Sequence, residues 1–404
     1  MSVQPFRVEI AQEQIDLLKG KLELAVFPNE LENANWDYGM PLADVKRLVT
    51  YWKNEFDWRR AEAQLNLLPQ FISPIEVEGF GRLEMHFVHQ RSKVQGAIPL
   101  LFVHGWPGSF IEVSKILPQL VNPTSSAAPA FHVVAPSLPG FAFSEAPKKR
   151  GFGGAQYAEA CHKVMLALGY EEYVTQGGDW GFLVTRHIGQ RYPLHCKASH
   201  INMIRAQPPT FLSHPYLWMK SMLPYSQTEK KGFERTKWFT KVGYGYNLEQ
   251  STKPQTLGYG LVDSPVGLLA WIGEKLHDWT DAYPWTDDEV LTWISLYCFS
   301  KGTPASSLRI YYEVRNEAHD VLSYVPNVKL GMSFFPQELA VLPFSWGATL
   351  GPTVFQRRHP RGGHFAAWEM PDTLVEDLRD MFGRKGGAFG VIKHRSGYDP
   401  VAKL

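Results

Sequence analysis

Residues 172–182 read EYVTQGGDWGF. Tyr173, Val174 and Thr175 are aromatic and β-branched, as a strand prefers, and a helical pattern runs over 180–190. Between the two lies Gly177-Gly178-Asp179-Trp180-Gly181. A strand that turns directly into a helix needs tiny residues two before and two after its apex, because side chains there meet neighbouring backbone. Gly177 and Gly181 meet that need and put Asp179 at the apex. As a bare pattern this arises by chance, and an aspartate after a strand ordinarily caps the helix that follows. The surrounding chain decides whether Asp179 does more.

Working outward, residues 98–103 (IPLLFV), 131–135 and 197–203 are short apolar runs without alternation, the mark of strands buried on both faces. Helical stretches at 110–121, 155–168 and 180–190 alternate with them, which predicts βαβ units and an α/β fold on a mainly parallel sheet. Ile15, Leu18 and Leu22, then Leu42, Val45, Leu48, Val49 and Trp52, stand at helical spacing, and 78–88 reads as a hairpin around Gly79 and Gly81. From 205 to 325 the alternation stops and Pro208, Pro209, Pro215, Pro224, Pro254 and Pro265 punctuate an aromatic, helix-compatible insertion. Strand-like runs return at 328–335 and 353–357, and a helical pattern over 366–382 closes the fold. The organisation predicted is an N-terminal extension of helices plus a hairpin (1–95), a core in two parts (96–204 and 326–385), a helical cap between them (205–325) and a mobile Gly- and Lys-rich tail (386–404).

The 404 residues carry 41 Lys+Arg against 40 Asp+Glu, so there is no basic surplus to point to nucleic acid. An aromatic content of 13% excludes a disordered chain. Cys161, Cys196 and Cys298 are odd in number and far apart, which argues against a disulfide framework or a zinc site and for a reducing compartment. The first twenty residues are interrupted by Arg7, Glu9, Glu13, Asp16 and Lys19, so they read as neither signal peptide nor membrane anchor. No stretch elsewhere has the roughly 18 to 20 apolar residues of a spanning helix.

Two further loops give Asp179 company. The strand at 98–103 ends in His104-Gly105-Trp106-Pro107-Gly108. In an α/β-hydrolase fold that loop supplies one backbone N–H of an oxyanion hole, here Trp106, and the residue after the nucleophile, here Trp180, supplies the other. Arg361-Gly362-Gly363-His364-Phe365 lies between the last strand and the last helix, where this fold carries its general base. Glu338 directly follows the strand at 328–335 and offers a carboxylate to orient His364. Glu317 and Asp320 also precede the histidine, whereas Asp372 follows it and does not suit the order nucleophile, acid, base.

No Gly-x-Ser-x-Gly or Gly-x-Cys-x-Gly occurs, which removes an esterase. A carboxylate that attacks an sp3 carbon makes an alkyl-enzyme ester, which a water activated by His364 then hydrolyses. A carbon bearing halide and a strained epoxide both suit this chemistry. The epoxide needs an acid for its alkoxide, and the cap holds several tyrosines; a tyrosine there is otherwise simply packing.

Beyond the motifs already given, the chain carries Trp36-Asp37-Tyr38-Gly39, Tyr51-Trp52, Glu55-Phe56-Asp57-Trp58-Arg59, Pro136-Ser137-Leu138-Pro139-Gly140, Ser264-Pro265-Val266-Gly267-Leu268 and Ser306-Ser307-Leu308-Arg309-Ile310-Tyr311. Taken jointly, over about residues 5–385, it resembles the α/β-hydrolase epoxide hydrolases, in the branch of the microsomal enzymes and their soluble fungal relatives, without the membrane anchor. The resemblance implies Asp179 as nucleophile, His364 as base, Glu338 as acid, no metal or organic cofactor, and a small-molecule epoxide as substrate. It also implies two cap tyrosines, Tyr246 and Tyr311, as donors to the epoxide oxygen. Helix neighbours point about 100° apart, so only one of Tyr311 and Tyr312 can face the pocket. The choice of Tyr246 over Tyr244 rests on the resemblance alone. A haloalkane dehalogenase, with Trp180 as a halide contact, and a silent hydrolase fold are the competing readings. By analogy with soluble relatives, the N-terminal helices lock the cap or form a homodimer contact. Ala402-Lys403-Leu404 resembles a peroxisomal address, so the predicted compartment is cytoplasm or peroxisome.

Overall fold

The computed structural model describes residues 2–315 and 320–399. Glu317 and Ala402-Lys403-Leu404 therefore lie outside the described residues. The strands are β1 (Gln4–Pro5), β2 (Gln70–Val77), β3 (Gly81–Gln90), β4 (Ile98–Val103), β5 (Phe131–Pro136), β6 (Tyr173–Gly177), β7 (Cys196–Ile201), β8 (Lys329–Phe334) and β9 (Thr353–Arg358). They form a single sheet in the order β1-β2-β3-β5-β4-β6-β7-β8-β9. Pairing is parallel from β5 to β9 and antiparallel from β1 through β3 to β5. Every residue of β4 and β5 is buried, which is why neither strand shows alternation.

The order around β4 positions the site. The chain leaves β4 for β5 on one side, then crosses over to β6 on the other. Crossovers that diverge this way open a crevice outside the carboxyl ends of the two strands between which they part, here β4 and β6. His104 follows the first of these ends and Asp179 the second.

Four boundaries differ from expectation. The hairpin is not part of a separate extension, because β3 pairs with β5 and makes β1–β3 the antiparallel end of the central sheet. The predicted helix over 110–121 is a 3-10 turn, Phe110–Lys115, followed by a short helix, Leu117–Val121, with Pro118 at its start. The closing helix breaks at Met370, since the residue before a proline resists helical geometry, and resumes as Pro371–Phe382. Finally, residues 386–399 are docked. The N–H of Gly397 donates to the Gly96 carbonyl (2.7 Å), the N–H of Ala130 donates to the Gly397 carbonyl (2.8 Å), and Ile392 and Tyr398 are buried. A Gly- and Lys-rich composition hid two apolar anchors that pay for the ordering.

Between β7 and β8 the cap is helical, and two of its helices, Pro265–Asp278 and Asp287–Cys298, are the ones the N-terminal helices pack against. Trp36 stacks on His277 with ring centres 3.7 Å apart, and Trp58 packs on Phe299 at 4.7 Å. Arg47 and Arg60 reach Asp287 and Asp288 at 2.5 and 2.8 Å. These exposed ion pairs add little individually, so the aromatic contacts hold the extension to the cap.

Candidate active site

Asp179 occupies a strained backbone, φ +50° and ψ −125°, between the end of β6 and the helix Trp180–Arg191. Such a conformation costs about 1–3 kcal/mol in a residue with a side chain and persists only where its surroundings impose it. They do so here. A methyl group on Gly177 would lie 2.6 Å from the Gly181 carbonyl oxygen, and one on Gly181 would collide with the Val103 carbonyl. A Cβ at Gly105 would strike the Asp179 carboxylate itself. Strand β4, its loop and the elbow are thus in mutual backbone contact, and the aspartate projects where they meet.

The loop after β4 is pinned from three sides. His104 Nδ1 faces the Gly105 carbonyl at 2.9 Å, so it carries the proton, and Nε2 accepts the N–H of Leu138 at 3.1 Å. Burial lowers the pKa of His104 to about 4, which keeps it neutral and preserves this pattern. The Trp293 indole N–H donates to the Pro107 carbonyl, and the Tyr297 hydroxyl donates to the Gly108 carbonyl at 2.7 Å. The Trp106 N–H consequently points at Asp179 and donates to Oδ1 at 2.8 Å. Trp180 is the first residue of the helix, so its N–H is among those that no carbonyl within the helix can satisfy.

His364 faces the other carboxylate oxygen, with Nε2 3.4 Å from Asp179 Oδ2, while its Nδ1 lies 2.6 Å from Glu338 Oε1. His364 and Glu338 are buried, and Asp179 is half-buried. Burial opposes the imidazolium, but the Glu338 charge and the hydrogen bonds to Asp179 and Glu338 outweigh it and raise the pKa to about 10. The Leu339 N–H donates to Glu338 Oε1 at 2.7 Å and the Gln337 N–H to the Gly362 carbonyl at 3.0 Å, so the acid loop and the histidine loop are stitched together. Asp320, the rival acid, stands in a 3-10 turn at Asp320–Leu322.

The cap closes over this floor. Tyr246, on the helix Gly245–Thr252, stacks on Trp106 with ring centres 5.3 Å apart, and Tyr311, on the helix Arg309–Val314, meets Trp180 edge-on at 4.6 Å. The two tyrosines face each other at 5.8 Å and 82°. Both are buried, and the Tyr311 hydroxyl makes no hydrogen bond of good geometry. Burial and the Asp179 charge push both phenols well above their usual range, so they remain O–H donors. Tyr244 is half-exposed at the head of its helix, and Tyr312 turns away beneath the Arg315 guanidinium at 4.0 Å. Helical phase has separated each pair.

Residues 3–113 match the family described as epoxide hydrolase N terminus, and 98–234 match the alpha/beta hydrolase fold. Epoxide hydrolase 1 of Sus scrofa is 36% identical over 411 residues, spanning 95% of this chain and 89% of that protein. The structure of Aspergillus niger epoxide hydrolase superposes with a TM-score of 0.82 at 37% identity, covering 94% of this chain and 95% of its own. Juvenile hormone epoxide hydrolase of Bombyx mori gives 0.84 at 29% identity, covering 93% of each chain. The chain belongs to the epoxide hydrolase family.

In this epoxide hydrolase, no helix among the described residues is long and apolar enough to cross a membrane. Three residues around its site escaped the sequence reading. Trp279, in the cap, accepts the backbone N–H of His364 at 2.8 Å and packs its ring 5.0 Å from the imidazole. Arg235 donates to the carbonyls of Asp278 (2.7 Å), Gln337 (3.0 Å) and Glu338 (3.3 Å), joining cap to acid loop. Neither carries a local signal. The third, Glu112, does: Ser109-Phe110-Ile111-Glu112 is a capping box, readable from its spacing.

Proposed function

We propose that this hydrolase opens epoxides to vicinal diols through a covalent ester on Asp179. The supporting observation is an aspartate at a strained elbow, held by the Trp106 N–H on one oxygen and facing His364 on the other, beneath two buried phenols. Tyr246 and Tyr311 donate to the epoxide oxygen while Asp179 attacks a ring carbon from the opposite side; the carbon–oxygen bond of the ring breaks and a hydroxyalkyl ester forms. Ring strain supplies part of the driving force. Water then attacks the ester carbonyl with His364 as base, and the N–H groups of Trp106 and Trp180 stabilise the oxyanion.

The ionisation of His364 closes the proton balance. At rest it is held as imidazolium by Glu338 and Asp179. Ring opening consumes one proton to convert alkoxide to hydroxyl, and the imidazolium is its source. Esterification removes both the charge of Asp179 and its hydrogen bond, so the imidazole becomes a neutral base when water must be activated. Ester hydrolysis releases one proton, which restores the imidazolium. A dehalogenase would leave Tyr246 and Tyr311 without roles, and a silent fold does not suit a member of this family whose elbow, base and oxyanion loop are intact.

Single turnover of styrene oxide in H218O tests the ester directly. Label is expected in the Asp179 carboxylate of the recovered protein and not in the first-turnover diol. Label wholly in that diol would show direct attack by water and remove the covalent scheme.

A further inference from the structure

Beside Asp179 lies a small cavity whose walls include His364, Glu112, Gln176 and Asn202 but neither cap tyrosine. It has about 20 Å3 of room for the centre of a water molecule, enough to hold one ordered water among polar partners. Gln176 is committed, its Nε2 donating to the side-chain Oδ1 of Asn202 at 2.8 Å. Glu112 Oε1 accepts the N–H of Ser109 at 3.2 Å.

Capping alone does not account for burying Glu112. Two other capping boxes show what the motif needs. Glu229, capped with Ser226, is partly exposed, and Glu289, capped with Thr286, is partly exposed and paired with Lys115 at 3.0 Å. Glu112 is 8% exposed, and no lysine or arginine among the described residues bonds to it. Its titratable neighbours are Asp179, His364 and Tyr297. Burial, with Asp179 adding and His364 opposing, raises its pKa to about 8. A carboxyl group is costly in such a place, and a solvated one would cap the turn as well.

Resting on the covalent-ester reading, we propose that Glu112 is a positioning residue for the hydrolytic half-reaction, holding the attacking water in this cavity against the Asp179 ester and His364. One water hydrogen passes to His364 Nε2 as the oxygen bonds to Cγ of Asp179. The ester bond to the alkyl oxygen then breaks, and the second water hydrogen moves from the adduct to the departing alkoxide. Glu112 gains and loses nothing. The cavity's walls include neither tyrosine, so a water held there stands apart from the phenols that take the epoxide oxygen.

Stopped-flow single turnover with Glu112→Gln tests this, since the amide keeps the Ser109 hydrogen bond. Ester formation should stay within about twofold of wild type, while ester hydrolysis slows by about tenfold or more. The ester should accumulate by mass spectrometry, and kcat and KM should fall together with kcat/KM retained. Should that variant not fold, Glu112→Asp, which withdraws the oxygens by one methylene, is expected to show the same selective slowing. Unchanged hydrolysis, or equal slowing of both steps, would reduce Glu112 to a cap. Absence of any ester in the wild type would instead remove the covalent reading, and this role with it.

Discussion

The floor and the roof of this active site are built by different means. Asp179, Trp106, Glu338 and His364 all stand within a few residues of strand ends, on turns whose backbones touch and leave no room for side chains at Gly105, Gly177 and Gly181. The roof is made by Tyr246 and Tyr311, 65 positions apart on two short helices, seated on Trp106 and Trp180 by ring packing. Backbone contact leaves the floor almost no freedom, whereas packed rings tolerate adjustment. Chemistry that cannot be displaced should therefore reside below, and chemistry that can be tuned above.

The largest effect that can break this contrast is Asp179→Ala, for which turnover of styrene oxide should fall by about 10⁴-fold or more, with the fold intact by circular dichroism. Residual activity near wild type would place the nucleophile elsewhere. In the roof, Tyr246→Phe and Tyr311→Phe should each cost about 10- to 100-fold in kcat/KM, because one phenol remains to donate, and the double variant should lose diol formation almost entirely. Equal losses in the single and double variants would mean that only one phenol serves. The smallest effect concerns stability. The folded pKa of His364 is raised to about 10 from the ordinary 6.5. Its contribution is therefore fully present below pH 6.5 and is lost as pH rises towards 10. The melting temperature should fall by a few degrees across that window, and His364→Gln should flatten the decline. An unchanged slope in the variant would mean that the imidazolium is not held as described.

Much of the floor was legible in the chain. Gly177 and Gly181 around Asp179, and the glycines before His364, are local signals, since a turn without space for Cβ demands glycine wherever it occurs. Glu338 was reached by chain order and its place after a strand. The hairpin's membership of the sheet was not legible, because pairing of β3 with β5 joins residues more than forty positions apart. Nor was the docking of 386–399, where Ile392 and Tyr398 are too sparse to form a pattern. In the cap, family likeness named Tyr246 and Tyr311, but the residues themselves left Tyr244 and Tyr312 equally open until helical phase and burial separated them.

The amino-acid sequence by itself determined the chain order of strands and turns, the aspartate at the elbow and the class of chemistry that the proposed carboxylate nucleophile permits, because each follows from short-range sterics and residue type. Only the tertiary structure decided which phenols overhang Asp179, that Trp279 and Arg235 brace the histidine and acid loops, and that Glu112 is buried against a water-sized cavity. Those properties arise where segments distant in the chain meet, and no local pattern encodes the direction from which a distant segment arrives.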